Sequence, residues 1–131
     1  LSPRLAARTA GPLSRRRSER AGRLAEALAA LLLRLRGYRI LARRYATPVG
    51  EIDLVARRGD LLLFVEVKRR SRPGDALAAL LPRQQHRIAR AAAWFLQQRP
   101  QHAHCAMRFD LVALAPWRLP RHVPDIWRER R

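Results

Sequence analysis

Two runs of strand-forming residues, Glu51 to Arg57 and Leu61 to Lys68, stand on either side of Gly59-Asp60. That two-residue spacing, with glycine first, predicts a β-hairpin closed by a type II′ turn. The turn then fixes the register. With Arg58 paired to Leu61, counting back along both strands sets Asp53 opposite Glu66, on one face of the sheet and with Cβ atoms about 5 Å apart. Lys68 follows Glu66 by two residues and so shares that face.

Two carboxylates brought this close repel each other, by roughly 4 kcal/mol at about 4 Å and an effective dielectric of 20. The residues admit two kinds of compensation, and spacing alone leaves both open. One is an ordinary cross-strand ion pair of Asp53 or Glu66 with Lys68 on a solvated face. The other is a divalent cation held by Asp53 and Glu66. Oxygen-only ligands favour Mg²⁺ or Mn²⁺ over zinc, and such a site keeps waters for substrate and nucleophile. Lys68 beside it would orient an activated water and offset charge on phosphorus, which is the equipment of phosphodiester hydrolysis.

The remaining elements follow from periodicity and breakers. Ser18 is a good helix N-cap, and Ala21, Leu24, Leu28, Leu31 and Leu35 recur at helical spacing until Gly37. Tyr38 to Tyr45 reads as a strand, with Thr47-Pro48-Val49-Gly50 as the turn after it. Arg69 to Gly74 is a basic loop. A helical pattern runs from Asp75 through Ala76, Leu80, Ile88, Ala92 and Phe95, with Pro82 either interrupting it or beginning a second helix. Met107 to Leu114 is a further strand, and the tail from Pro116 has no clear periodicity.

With 131 residues, 48% of them apolar, the chain is expected to build a single core. Residues 1–17 read as a basic, unstructured arm and 18–131 as a single domain. The arm has no apolar signal core, no run approaches the roughly 18 apolar residues of a membrane span, and a lone Cys105 forms no internal disulfide. A cytoplasmic location without membrane contact is therefore expected. Basic residues number 28 against 10 acidic ones, a net charge of +18 carried almost wholly by arginine. Arginine is the better phosphate fork, and counterion release favours binding to a polyphosphate, so nucleic acid is the expected partner.

Gly50-Glu51-Ile52-Asp53-Leu54-Val55-Ala56 and Phe64-Val65-Glu66-Val67-Lys68-Arg69-Arg70, in that order and spacing, resemble the YraN family of small bacterial proteins, described as predicted endonucleases. The resemblance extends from Gly22, Glu26 and Ala29 through Gly37-Tyr38 to Arg87-Ile88 and Arg108-Phe109-Asp110-Leu111-Val112. It implies an α/β, restriction-endonuclease-like fold, a central mixed β-sheet flanked by helices, similar to archaeal Holliday-junction resolvases. It also implies Asp53 and Glu66 as ligands of Mg²⁺ or Mn²⁺, Lys68 as the catalytic lysine and Glu26 as an acidic contributor from the first helix. By its residues alone Glu26 reads as a surface partner of Arg23, although it shares a helix face with Gly22, Ala29, Ala30 and Leu33. DNA, branched forms included, is the implied substrate, and a homodimer the implied assembly. Arg69, Arg70, Arg83 and Arg87 are the expected phosphate contacts. Two positions depart from the family pattern: Gln84 replaces a lysine and Arg44 an asparagine. The rival functions are a non-catalytic nucleic-acid-binding protein and a subunit whose site needs a partner. Glu51 has an open role. His102-Ala103-His104-Cys105 lacks a second ligand pair and reads as a polar loop. Trp94 and Phe95 are expected in the core, Trp117 and Trp127 are candidates for packing or base stacking, and Asp110 is expected to make a structural ion pair or hydrogen bond.

Overall fold

The hairpin forms in the register its turn dictates. Strands β2 (Gly50–Arg58) and β3 (Leu61–Arg69) pair antiparallel, from Arg58 against Leu61 to Leu54 against Val65. Gly59 adopts φ 58°, the left-handed value that the first central position of a type II′ turn requires. The computed structural model describes residues 12–127, and in it this hairpin is the middle of a five-stranded sheet. Its order is β1-β2-β3-β4-β5, with β1 at Arg39–Thr47, β4 at Ala106–Leu114 and β5 at Arg121–Trp127. Only β3 and β4 are parallel, and the chain between them forms α2 (Pro73–Ala78) and α3 (Pro82–Gln98).

Helices cover both faces of this mixed sheet, as the expected α/β architecture requires. On one face, α1 (Pro12–Leu35) lays Ala29, Ala30 and Leu33 against Leu54, Ala56, Leu63 and Val65. On the other, Ile88, Ala91, Ala92 and Phe95 of α3 meet Val55, Leu62 and Phe64. The odd and even residues of β3 thus enter different cores, which is why the strand reads as a continuous apolar run. Thr47 closes the β1–β2 turn by donating to the Gly50 carbonyl at 2.6 Å and accepting the Gly50 N–H at 3.0 Å.

Four expectations need correction. First, α1 begins at Pro12, six residues before Ser18. Proline suits the first helical position, and only Gly22 weakens the run that follows. Residues 12–17 are therefore helical; the rest of the expected arm, 1–11, lies outside the described residues. Second, the leucine stripe of α1 is not its buried face. Leu24, Leu28, Leu31 and Leu35 are all exposed, while Ala25, Glu26, Ala29, Ala30 and Leu33 are buried. Small side chains let the helix approach the sheet closely, and the larger leucines are left on the far side. Third, the helical region after the basic loop starts at Pro73 and not at Asp75; of the two readings of Pro82, the one in which it begins a second helix holds. Fourth, the tail contains β5, an edge strand. Pro124 hid it, because a proline is tolerated in a sheet only where its missing N–H faces outward.

The C-terminus of α1 ends as expected at Gly37, whose φ is 89°. The Tyr38 N–H reaches the Leu33 carbonyl and the Gly37 N–H that of Arg34, both at 3.0 Å, a Schellman closure with Tyr38 and Leu33 in one core.

Candidate active site

Pairing between β2 and β3 stops at Leu54 and Val65, and Asp53 and Glu66 stand at the fork beyond it. Asp53 Oδ2 accepts the Val67 N–H at 2.8 Å, so the carboxylate takes the place of a strand carbonyl. On the other flank of β2, Arg44 lies between the residues of β1 that pair with Leu54 and Ile52, and it adopts φ 49°. Left-handed backbone suits asparagine better than arginine, which accounts for the residue the YraN pattern prefers here. The regular alternation breaks at this point, and Ile52 and Val55 consequently enter the same core.

The predicted set converges. Lys68 Nζ lies 3.3 Å from Glu66 Oε1, and each side chain is only 12% exposed, so this is an enclosed pair and not one on a solvated face. In the amide orientation that satisfies both neighbours, Gln84 accepts from Lys68 Nζ at 3.1 Å and donates to the Ala79 carbonyl at 3.2 Å. The side chain departing from the family pattern therefore positions the lysine. Glu26 is buried on α1 and paired with Arg44, not with Arg23. Gly22, Ala25, Glu26, Asp53, Val67, Lys68, Arg69 and Arg70 line one cavity of about 230 Å³.

Burial pushes the Asp53 carboxyl up to about 7, assisted by the neighbouring Glu66 and Glu26 charges and opposed by the Val67 N–H and Lys68. Burial also holds Glu66 above the usual carboxylate range, outweighing Lys68. The two carboxyl groups are near enough for a hydrogen bond between them when one is protonated. Two desolvated, like-charged groups kept together at a cost in stability are a common mark of a functional site. Their oxygen-only donors suit a hard divalent cation. Asp53 and Glu66 are the residues that could hold such an ion, with water and substrate oxygens completing its sphere.

Arg69, Arg70, Arg83 and Arg87 are all exposed. The first two rim the cavity, and the last two lie on α3. Glu51 is exposed on β2 and acts on Glu66 only through its charge. His102 and His104 both meet Arg57, at 2.9 and 3.3 Å, and Cys105 is a buried free thiol. Phe95 is buried, Trp94 half-buried, and Trp127 stacks on Phe109 with centroids 4.8 Å apart. Asp110 is fully buried and structural. It takes a bidentate contact from Arg108, both bonds 2.9 Å, as well as His122 Nε2 at 2.6 Å and the Asp125 N–H at 2.9 Å. The site roles of Arg44 and Gln84 were not readable from local pattern. A compositional signal was available for Lys68: it is the one lysine among 28 basic residues.

A five-stranded mixed sheet flanked by helices is the architecture of a restriction-endonuclease-like fold, and Asp53, Glu66 and Lys68 stand at the fork between two of its strands. Residues 25–114 match the model described as "Uncharacterised protein family UPF0102". A UPF0102 protein of Paramagnetospirillum magneticum is 56% identical over 115 residues, covering 85% of this chain and 89% of the relative. One of Parvibaculum lavamentivorans is 54% identical, covering 94% and 92%, and one of Chelativorans sp. is 52% identical, covering 90% and 95%. The chain belongs to the UPF0102 family, the family that the YraN resemblance indicated. No helix among the described residues is long and apolar enough to cross a membrane.

Proposed function

We propose that this protein is an endonuclease that hydrolyses phosphodiester bonds in DNA with Mg²⁺ or Mn²⁺, branched or otherwise structured DNA included. The observation that carries the reading is the half-buried Asp53–Glu66 pair, both carboxyls raised above their ordinary values, with the chain's one lysine against it. A divalent cation held by Asp53 and Glu66 would neutralise their repulsion and supply Lewis-acid stabilisation to charge developing on the phosphoryl group. The chain's own residues supply the rest. The Val67 N–H fixes Asp53, and Gln84 holds Lys68 within reach of the fork. Held there, the Lys68 ammonium would face a phosphate oxygen of a bound strand. Arg69 and Arg70 at the rim, and Arg83 and Arg87 on α3, meet the flanking phosphates as charge-assisted forks.

The test is a cleavage assay on supercoiled, linear, single-stranded and four-way-junction DNA in Mg²⁺, Mn²⁺ or EDTA. Metal-dependent cutting is expected from the wild type, with a loss of about 100-fold or more in Asp53→Asn and Glu66→Gln and retention of DNA binding in both. Equal trace cutting by all three proteins, or salt-sensitive binding without cutting of any substrate, would favour a non-catalytic binding protein instead.

The exposed face of α1 favours a homodimer as the working form. Leu24, Leu28, Leu31 and Leu35 recur at the alternating four- and three-residue spacing with which two helices interdigitate, and a second copy brings the same seam. Leu24 and Leu28 also line a groove of about 580 Å³ with Leu114 and Pro116, room for side chains of a partner helix. The net charge opposes self-association, so added salt should strengthen the dimer while weakening DNA binding. Sedimentation should report a dimer that Leu28→Glu with Leu31→Glu converts to a folded monomer; a wild type that stays monomeric at high salt removes this reading.

A further inference from the structure

Trp117 is 103% exposed, without cover from the other described residues. It stands in the turn Ala115–Arg118, closed by the Arg118 N–H on the Ala115 carbonyl at 3.3 Å, and its φ is 61°. Pro116 precedes it, so the turn is of type II with tryptophan where glycine or asparagine belongs. Left-handed backbone at a bulky residue is strained, and an exposed indole returns nothing to the fold in exchange. A residue both strained and unburied is a candidate for contact with something outside the chain.

Its position says what that contact is. β3 and β4 run parallel, with Lys68 beside Ala113 and Arg69 beside Leu114. The Arg70 N–H donates to the Leu114 carbonyl at 3.0 Å, which ties the start of the turn to the segment just after Lys68. Ala115 and Pro116 share a groove with Arg69 and Arg70, and those two arginines also line the acidic cavity. The turn that carries Trp117 therefore lies beyond the C-terminal ends of β3 and β4, next to the arginines that rim the site. Arg118 and Arg121, both exposed, follow it in the chain. An aromatic face among arginines matches a nucleic-acid strand, whose phosphates meet the cations while its bases offer π-faces.

We propose that Trp117 stacks on an unpaired nucleobase and so selects DNA in which a base next to the bound phosphate is already unstacked, as in single strands, forks and junctions. The inference rests on the nucleic-acid reading above and adds the substrate feature to it. A base inside uninterrupted duplex is already stacked on its neighbours, and freeing it costs a few kcal/mol. Intact duplex should accordingly gain little from the indole.

The test is binding in EDTA at fixed salt, by fluorescence anisotropy, of a single strand, a fork and a duplex of equal length to wild type, Trp117→Ala and Trp117→Phe. The expected result is a loss of about 10-fold or more for Trp117→Ala on the single strand and fork, little change on duplex, and most affinity kept by Trp117→Phe. Tryptophan emission of the wild type should be quenched by the single strand, and less so in Trp117→Phe. All variants should melt with or above the wild type, since Trp117 supports no core. Unchanged affinity of Trp117→Ala for all three DNAs overturns the proposal. So does an equal loss on all three, which would make Trp117 a backbone contact, and so does a change of sedimentation with DNA binding intact, which would assign it to a protein interface. Because cleavage is not measured here, failure of the endonuclease reading leaves this result standing, and a cleaving enzyme indifferent to Trp117→Ala sinks this inference alone.

Discussion

Metal-free protein is expected to lose thermal stability as the pH rises from about 4 to about 7, and Asp53→Asn is expected to remove most of that loss. The sign follows from the direction of the shift. Burial, with Glu66 nearby, raises Asp53 from its ordinary 3.8 to about 7. A carboxyl whose folded value lies above its unfolded one binds protons more readily when folded. Its favourable contribution is complete below about pH 4 and is lost as pH rises through about 7. Glu66 is shifted in the same direction and adds to the slope. At 1.36 kcal/mol per unit, the Asp53 shift corresponds to about 4 kcal/mol. For a chain of this size that is a fall in Tm of about 10 °C or more. Asparagine keeps an oxygen for the Val67 N–H and carries no charge to desolvate. Near pH 4 the variant and wild type should melt together in EDTA, and near pH 8 the variant should be the more stable. Millimolar Mg²⁺ should raise the wild type near pH 8 and leave Asp53→Asn unmoved, because a ligand stabilises only the state that binds it. A wild-type Tm flat across this range in EDTA would mean that the two carboxylates are better solvated than their burial implies. A site that destabilises its own fold until a cation arrives is what catalysis would require of these residues.

The hairpin was legible because two rules act on the same few residues. A two-residue turn sets the register and a period of two sets the face, so Asp53, Glu66 and Lys68 could be brought together without any long-range information. Beyond Leu54 and Val65 the strands part, and no local rule states where pairing ends. In α1, periodicity identified the helix but not its inward face. Leucines and alanines both recur at helical spacing there, and the choice was made by how closely a helix carrying Ala29 and Ala30 can approach the sheet. β5 was hidden because an edge strand needs fewer ladder bonds and so tolerates Pro124. Arg44 and Gln84 act across the fold, on Glu26 and Lys68, and their partners could be found only in three dimensions. Trp117 and Trp127 share similar basic, irregular sequence surroundings, yet one stacks on Phe109 and the other is bare. Aromatic identity reports the capacity to pack, and the backbone decides whether anything is there to pack against.

Asp110→Ala should be the most damaging single substitution outside the site. Asp110 is fully buried and accepts four hydrogen bonds, two from Arg108, one from His122 and one from the Asp125 N–H. Arg36 donates to His122 Nδ1 at 3.0 Å, which assigns the ring proton to Nε2 and points it at Asp110. Arg108 continues to the Tyr38 hydroxyl at 3.4 Å. One carboxylate thus ties β4 and β5 to Arg36 and Tyr38, in the segment between α1 and β1. Removing it strands the Arg108 cation and an imidazole N–H in a buried place, and breaking such a pair costs about 3–5 kcal/mol. The expected fall in Tm is about 10–20 °C, with β5 released first. Burial alone would raise this carboxyl, but the bonds from His122, Arg108 and the Asp125 amide outweigh it and hold the group below its ordinary value. Its contribution is therefore present above about pH 4 and lost as the pH falls through the lower folded value, the reverse of Asp53 and in a separate window. Asp110→Asn preserves the volume and one acceptor, so it should cost less than alanine while also losing the acid-side slope. Hydrogen exchange would locate the damage. Faster exchange confined to β4, β5 and the C-terminal turn of α1, with the β2–β3 hairpin still protected, is the expected pattern. Uniform acceleration across the sheet would mean that the hairpin depends on this network too, and that the site is no more stable than the edge which braces it.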